Sequence, residues 1–154
     1  RLAYAVLPPA LVAPMVMMRT VNDGHSSQLM QAVTAEFMQA GHFASHLRLS
    51  RQLYHSRRDH LLAQIKQKIE WLTPQVAAGG LQLAARLPAG QEPHFSALAA
   101  QAGVETPRLS PLFTASAGVV TQHQDGWLLG FSALTPAEIT AAVNRLASLQ
   151  VPVI

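Results

Sequence analysis

The chain has 154 residues, enough for one compact domain or for a lobe with part of a neighbour. With 49% apolar and only 12% charged residues it can build a core and is not a disordered segment, and the lack of cysteine excludes disulfides and thiolate metal sites. Its formal charge is +3 and its pI near 10.0, but few acids rather than many bases set that value, so composition alone makes a weak case for nucleic acid.

The first residue is arginine rather than methionine, so a piece of a longer polypeptide is expected. Residues 2–18 carry no charge, yet Pro8, Pro9 and Pro14 interrupt the run and it is short for a membrane span. The predicted arrangement is a strand over 2–7, a proline turn, and a helix starting between Pro9 and Pro14. Asn22-Asp23-Gly24 marks a break, after which Ser26 or Ser27 can cap a helix from Gln28 to Gln39, ended by Gly41.

Residues 41–72 hold no proline and no further glycine. Phe43, Leu47, Tyr54, Leu61, Ile65, Ile69 and Leu72 fall on helical spacing, apart from a polar gap around Arg57 and Arg58. One helix of roughly 45 Å follows, longer than a small domain is wide. It lacks a sustained heptad, so it is expected to run from one lobe into another rather than to form a coiled coil. Thr73-Pro74 is its predicted stop.

After Gly79-Gly80, Leu81, Leu83, Ala85 and Leu87 alternate with Gln82, Ala84 and Arg86, the pattern of a half-buried strand closed by Pro88. A short helix is predicted over 95–102, ending at Gly103, and a second strand over 104–109, interrupted at Pro107. Residues 112–120 are ambiguous. A third strand is expected over 127–131. Thr135-Pro136-Ala137-Glu138 reads as a capping box opening a last helix over 136–149, with Ile139, Val143, Leu146 and Leu149 on its buried face. Helices followed by a strand, helix, strand, strand, helix unit indicate α+β, with helices on one face of a small, mostly antiparallel sheet.

Candidate chemistry is sparse. His42 and His46 are four apart on a helix and could share a metal, but the zincin glutamate between them and a third ligand are both missing, so capping and surface packing explain them better. Arg48, Arg51, His55 and Arg58 lie along one helical face, with Arg57 beside it, and could follow phosphates; a solvated face diluted by Asp59 is the alternative. No Gly-x-Ser-x-Gly elbow anchors a hydrolase triad, and Gly79-Gly80 precedes a strand rather than joining strand to helix, so it is no phosphate loop.

Five segments carry a resemblance. RLAYAVLPPALV at the start is similar to the stretch just after the cofactor lysine of fold type I aminotransferases, where Arg-x-Gly-Tyr leads to Leu-Pro-Pro. GHFASHLRLSRQLYHSRRDHLLAQI resembles the Gly-His-Phe-x-x-His and Tyr-x-x-Arg-Arg-Asp stretch of the MocR branch of GntR-type transcriptional regulators. GGLQLAARLP, GVETPRLSPLF and GWLLGFSALTPAEITAAVNRLASL are similar, in the same order, to later parts of that branch's aminotransferase-like domain.

The resemblance implies the C-terminal part of a fold type I domain dependent on pyridoxal 5'-phosphate (PLP). Residues 1–40 would end the large PLP-domain portion, 41–74 would form the helix between lobes, and 75–154 the small C-terminal α+β lobe. It further implies a cytoplasmic homodimer that binds DNA through an N-terminal winged helix-turn-helix outside this chain and senses an amine or amino acid. Arg1 matches the arginine that contacts the cofactor phosphate, a role suited to the paired donors of a guanidinium. The Schiff-base lysine, the aspartate that pairs with the pyridine nitrogen and the stacking aromatic would lie outside these residues, so no cofactor is expected on this chain alone and no catalytic residue is assigned. Two departures stand out: Ala3 replaces the usual glycine, and Trp127 and Leu128 stand where many aminotransferases place a carboxylate-binding arginine. A genuine aminotransferase fragment and, more distantly, a basic helical module that binds nucleic acid are the competing readings.

Overall fold

The computed structural model describes residues 2–22, 24–76, 79–113 and 124–149. The elements run α1 (Pro9–Asn22), α2 (Gln28–Gln39), α3 (His42–Lys68), β1 (Thr73–Gln75), β2 (Gln82–Arg86), α4 (Glu92–Gln101), a 3-10 turn (Ser110–Leu112), β3 (Gly126–Gly130) and α5 (Pro136–Ala147). The chain divides into two compact units, Arg1–Ser50 and Arg51–Ile154, with the boundary inside α3.

In the first unit, α1 starts at Pro9, whose missing N–H is harmless in a first turn, and continues through Pro14. Residues 2–7 form no strand, contrary to the sequence pattern: among the described residues no neighbouring strand offers them a ladder, and without one an extended run is not a sheet. Helix α2 has the predicted limits. The Ser27 hydroxyl accepts the Met30 N–H at 3.4 Å, and Gly41, at φ +77°, takes the left-handed turn that a side chain would resist. Neither α1 nor α2 buries a residue, and Val16, Met17, Val21, Leu29 and Val33 all lie exposed.

The second unit holds the core. Its sheet has the order β1-β2-β3, antiparallel throughout, with Ala85 opposite Trp127 and Leu83 opposite Leu129. These four residues form the packed face, since strand side chains alternate between faces. Leu61 and Ile65 from α3, Phe95 and Ala99 from α4, and Ile139, Val143 and Leu146 from α5 complete the cluster.

Helix α3 is continuous for 27 residues, about 40 Å, but ends at Lys68 rather than at Leu72. Ile69 still donates to the Ile65 carbonyl at 2.9 Å. The chain then turns so that Ile69 and Leu72 reach the core, and Thr73-Pro74-Gln75, expected only as a stop, becomes β1, an edge strand on which proline is tolerated. Residues 104–109 make no strand but a single bridge, Arg108 opposite Trp127, with Leu109 donating to Gly126 and Leu128 to Pro107. Pro107 has no N–H to extend it. Helix α4 opens three residues earlier than expected, on Glu92-Pro93. The ambiguous stretch 112–120 lies, beyond Phe113, outside the described residues.

The capping box of α5 is formed: the Thr135 hydroxyl accepts the Glu138 N–H at 3.3 Å, and Glu138 Oε2 accepts the Thr135 N–H at 2.7 Å. The Thr135 backbone bond first, then its hydroxyl, lowers the Glu138 carboxyl below its ordinary value, with Arg57 adding attraction. Thr135→Ala is expected to cost about 1 kcal/mol, read as a lower urea midpoint. An unchanged midpoint would mean that this helix start contributes nothing to stability.

Candidate functional site

Six of the basic residues of α3 fall into two sets. On one side, Arg57 donates to the Ser132 carbonyl, His60 Nε2 lies 2.8 Å from Thr140 Oγ1, and Lys68 Nζ donates to Asn144 Oδ1 at 2.6 Å. These bonds stitch α3 to α5 and the turn before it, and give Arg57, His60 and Lys68 structural work.

On the other side, Arg51, Tyr54, His55 and Arg58 recur at helical spacing and line a cavity of about 260 Å³ with Gly80, walled by Leu81 and buried Phe131. Arg58 donates through Nε and a terminal nitrogen to Asp59 Oδ1, at 3.1 and 2.9 Å, and its side chain is 19% exposed. Gly80 sits at φ +108°, a conformation that favours glycine. Arg48, grouped with this face in the sequence, does not line the cavity.

A second hollow, about 430 Å³, opens on the other side of the sheet between Gln75, Val76, Gln82, Ala84 and Leu128. Among the described residues no charged side chain lines it. Leu128 therefore sits, half-buried, on the outer face of β3, with Trp127 buried behind it.

His42 and His46 meet no third potential ligand among the described residues. His46 Nε2 lies 3.4 Å from Ser50 Oγ, and the His42 ring lies 5.7 Å from Phe37. Arg1, the expected phosphate contact, lies outside the described residues. The two lysines, Lys66 and Lys68, occupy the last turn of α3, the first exposed and the second bonded to Asn144. Neither lines the cavities described above, so among the described residues no lysine stands in those hollows to hold PLP.

One polar centre escaped the sequence reading. Glu92 is fully buried at the start of α4 and accepts bonds from Arg108 Nε at 2.8 Å, from the backbone N–H groups of Leu109, Ser110 and Gly126 at 3.0, 2.9 and 3.1 Å, and from the Ser110 hydroxyl. Burial would raise its carboxyl, but the bonds from Ser110, Arg108 and the Ser110 and Gly126 amides outweigh burial and bring it down to about 2. An acid beside proline at a helix start was the signal available; its partners, 16 to 34 residues away, were not visible.

No family model matches the chain. It is 32% identical over 150 residues to the "Probable rhizopine catabolism regulatory protein MocR" of Rhizobium meliloti, covering 96% of this chain and 29% of that protein. Among solved structures it superposes on the multiple substrate aminotransferase of Thermococcus profundus with a TM-score of 0.79 at 22% identity, covering 92% of this chain and 34% of that one. The LysN α-aminoadipate aminotransferase of Thermus thermophilus gives 0.77 at 21%, covering 92% and 36%. The chain thus spans under a third of the curated relative, and the solved structures show an aminotransferase fold. No helix among the described residues is long and apolar enough to cross a membrane. With that fold on one side and a sequence match over 96% of this chain on the other, the chain belongs to the MocR-type transcriptional regulators, as a C-terminal part of their aminotransferase-like domain.

Proposed function

We propose that this chain is the effector-sensing and dimerising region of a PLP-dependent MocR-type regulator and performs no amino transfer by itself. The single observation that carries the reading is the 32% identity to a regulatory protein over 96% of the chain. The intact protein would bind DNA through a winged helix-turn-helix, act as a cytoplasmic homodimer, and respond to an amine or amino acid. Within it, residues 1–40 would belong to the large cofactor portion, 41–74 to the inter-lobe helix and 75–154 to the small lobe.

PLP in the intact protein is supported by the fold shared with the Thermus aminotransferase, whose structure holds a phosphopyridoxyl-leucine. This chain would contribute the phosphate contact of Arg1, whereas the Schiff-base lysine would come from elsewhere in the protein, since Lys66 and Lys68 sit on the last turn of α3. The apolar setting of Leu128 suits an effector that is not gripped by an arginine at that position.

The test uses the intact gene product. Bound PLP is read from its absorbance, promoter binding from a gel shift with and without amines and amino acids, and amino transfer from keto-acid turnover. Amine-sensitive DNA binding without turnover is expected. Steady turnover without DNA binding would overturn the regulatory reading in favour of an aminotransferase.

A further inference from the structure

We infer that the cavity between α3 and the Gly80 turn is a binding site for a small molecule bearing an oxyanion, a carboxylate or a phosphate ester. The inference stands on this cavity alone and does not depend on the regulatory reading.

Three cationic or protonatable side chains, Arg51, His55 and Arg58, stand at i, i+4 and i+7 on α3, on one face, and all line the same cavity. Tyr54 adds a hydroxyl that can donate or accept. Asp59, which dilutes the charge in the sequence, is not among the lining residues; it holds the Arg58 guanidinium from the side. A held guanidinium loses less freedom when a ligand docks. Arg51 is exposed and, among the described residues, pairs with no carboxylate, so its fork remains available to an oxyanion.

The contrast with the opposite side of the helix separates this cluster from a merely solvated face. Arg57, His60 and Lys68 are each committed to α5 or the turn before it. The Arg51 side instead faces a hollow beside Gly80, with Leu81 and Phe131 forming an apolar wall. Basic donors with an apolar wall make a site for a compact molecule with a charged end, and about 260 Å³ suits a small metabolite rather than a nucleic-acid strand.

Inorganic phosphate and succinate serve as probes, titrated into the intact protein at constant ionic strength, with thermal shift and calorimetry as readouts. Saturable binding by either probe is expected, phosphate dominating for a phosphoryl ligand and succinate for a carboxylate. Arg51→Gln should weaken it by roughly tenfold or more, Arg51→Lys by less, and Arg48→Gln, outside the cavity, hardly at all. Because Arg51 is exposed, its variants should keep the parent circular dichroism spectrum. Equal weakening by Arg48→Gln and Arg51→Gln, shifts no larger than those from matched chloride, or duplex DNA bound in preference to both probes would overturn the site.

Discussion

Replacing Trp127 with alanine should lower the stability of the second unit by about 4 kcal/mol. The indole is fully buried, and its Cα partner across the sheet is Ala85, small enough to leave room for it. Its ring meets Trp71 edge-on at 5.9 Å and Phe95 at 6.4 Å, while Trp71 and Phe95 lie 4.7 Å apart, so three aromatic rings share one contact. The indole N–H donates to Ser96 Oγ at 2.9 Å, and truncation would strand that hydroxyl beside a cavity. Urea unfolding followed by circular dichroism measures the loss, with Leu112→Ala, which is exposed, expected within about 0.5 kcal/mol of the parent. A Trp127→Ala loss under about 1 kcal/mol would remove the aromatic cluster from the centre of the core.

The second large effect belongs to Glu92. Its folded-state pKa, about 2, lies below the ordinary 4.5, so its ionised form is favoured by folding. The stabilisation is therefore complete above pH 4.5 and is lost as pH falls from there towards 2. A displacement of this size corresponds to roughly 3 kcal/mol at full weight. Arg108 is 47% exposed and solvent screens its share, so about 2 kcal/mol at neutral pH is the expected contribution. Glu92→Gln should show that deficit at pH 7, and the gap from the parent should narrow between pH 5 and 3. A gap independent of pH would assign the loss to packing rather than charge. Gly126, whose N–H reaches this carboxylate, leaves no room for a side chain, since a Cβ there would lie 2.5 Å from the Ala85 carbonyl oxygen.

Local signals in the chain were legible where a residue acts on its own neighbours. Ser27 and Gly41 bound α2, Thr135 and Glu138 open α5, and the alternation around Leu83 and Ala85 marks β2, because caps and strand faces are set within a few residues. Errors fell where distant partners decide. Residues 2–7 have strand composition but no described ladder, and Thr73-Pro74 became an edge strand only because Ala84–Arg86 pairs with it. The same holds for the α3 cluster: helical spacing placed Arg51, His55 and Arg58 on one face, but only the fold brings Gly80, Leu81 and Phe131 to them and sends Arg57 elsewhere. The family was carried by ordered motifs rather than by any catalytic constellation.

The stitching of α3 to α5 has a consequence for biosynthesis. Its hydrogen bonds join residues 75 to 80 positions apart. At translation rates of about 5 to 20 residues per second, α3 waits roughly 4 to 15 s on the ribosome before α5 is polymerised. During that interval Leu61 and Ile65 have no α5 to cover them, so the nascent chain exposes these two apolar side chains until α5 emerges.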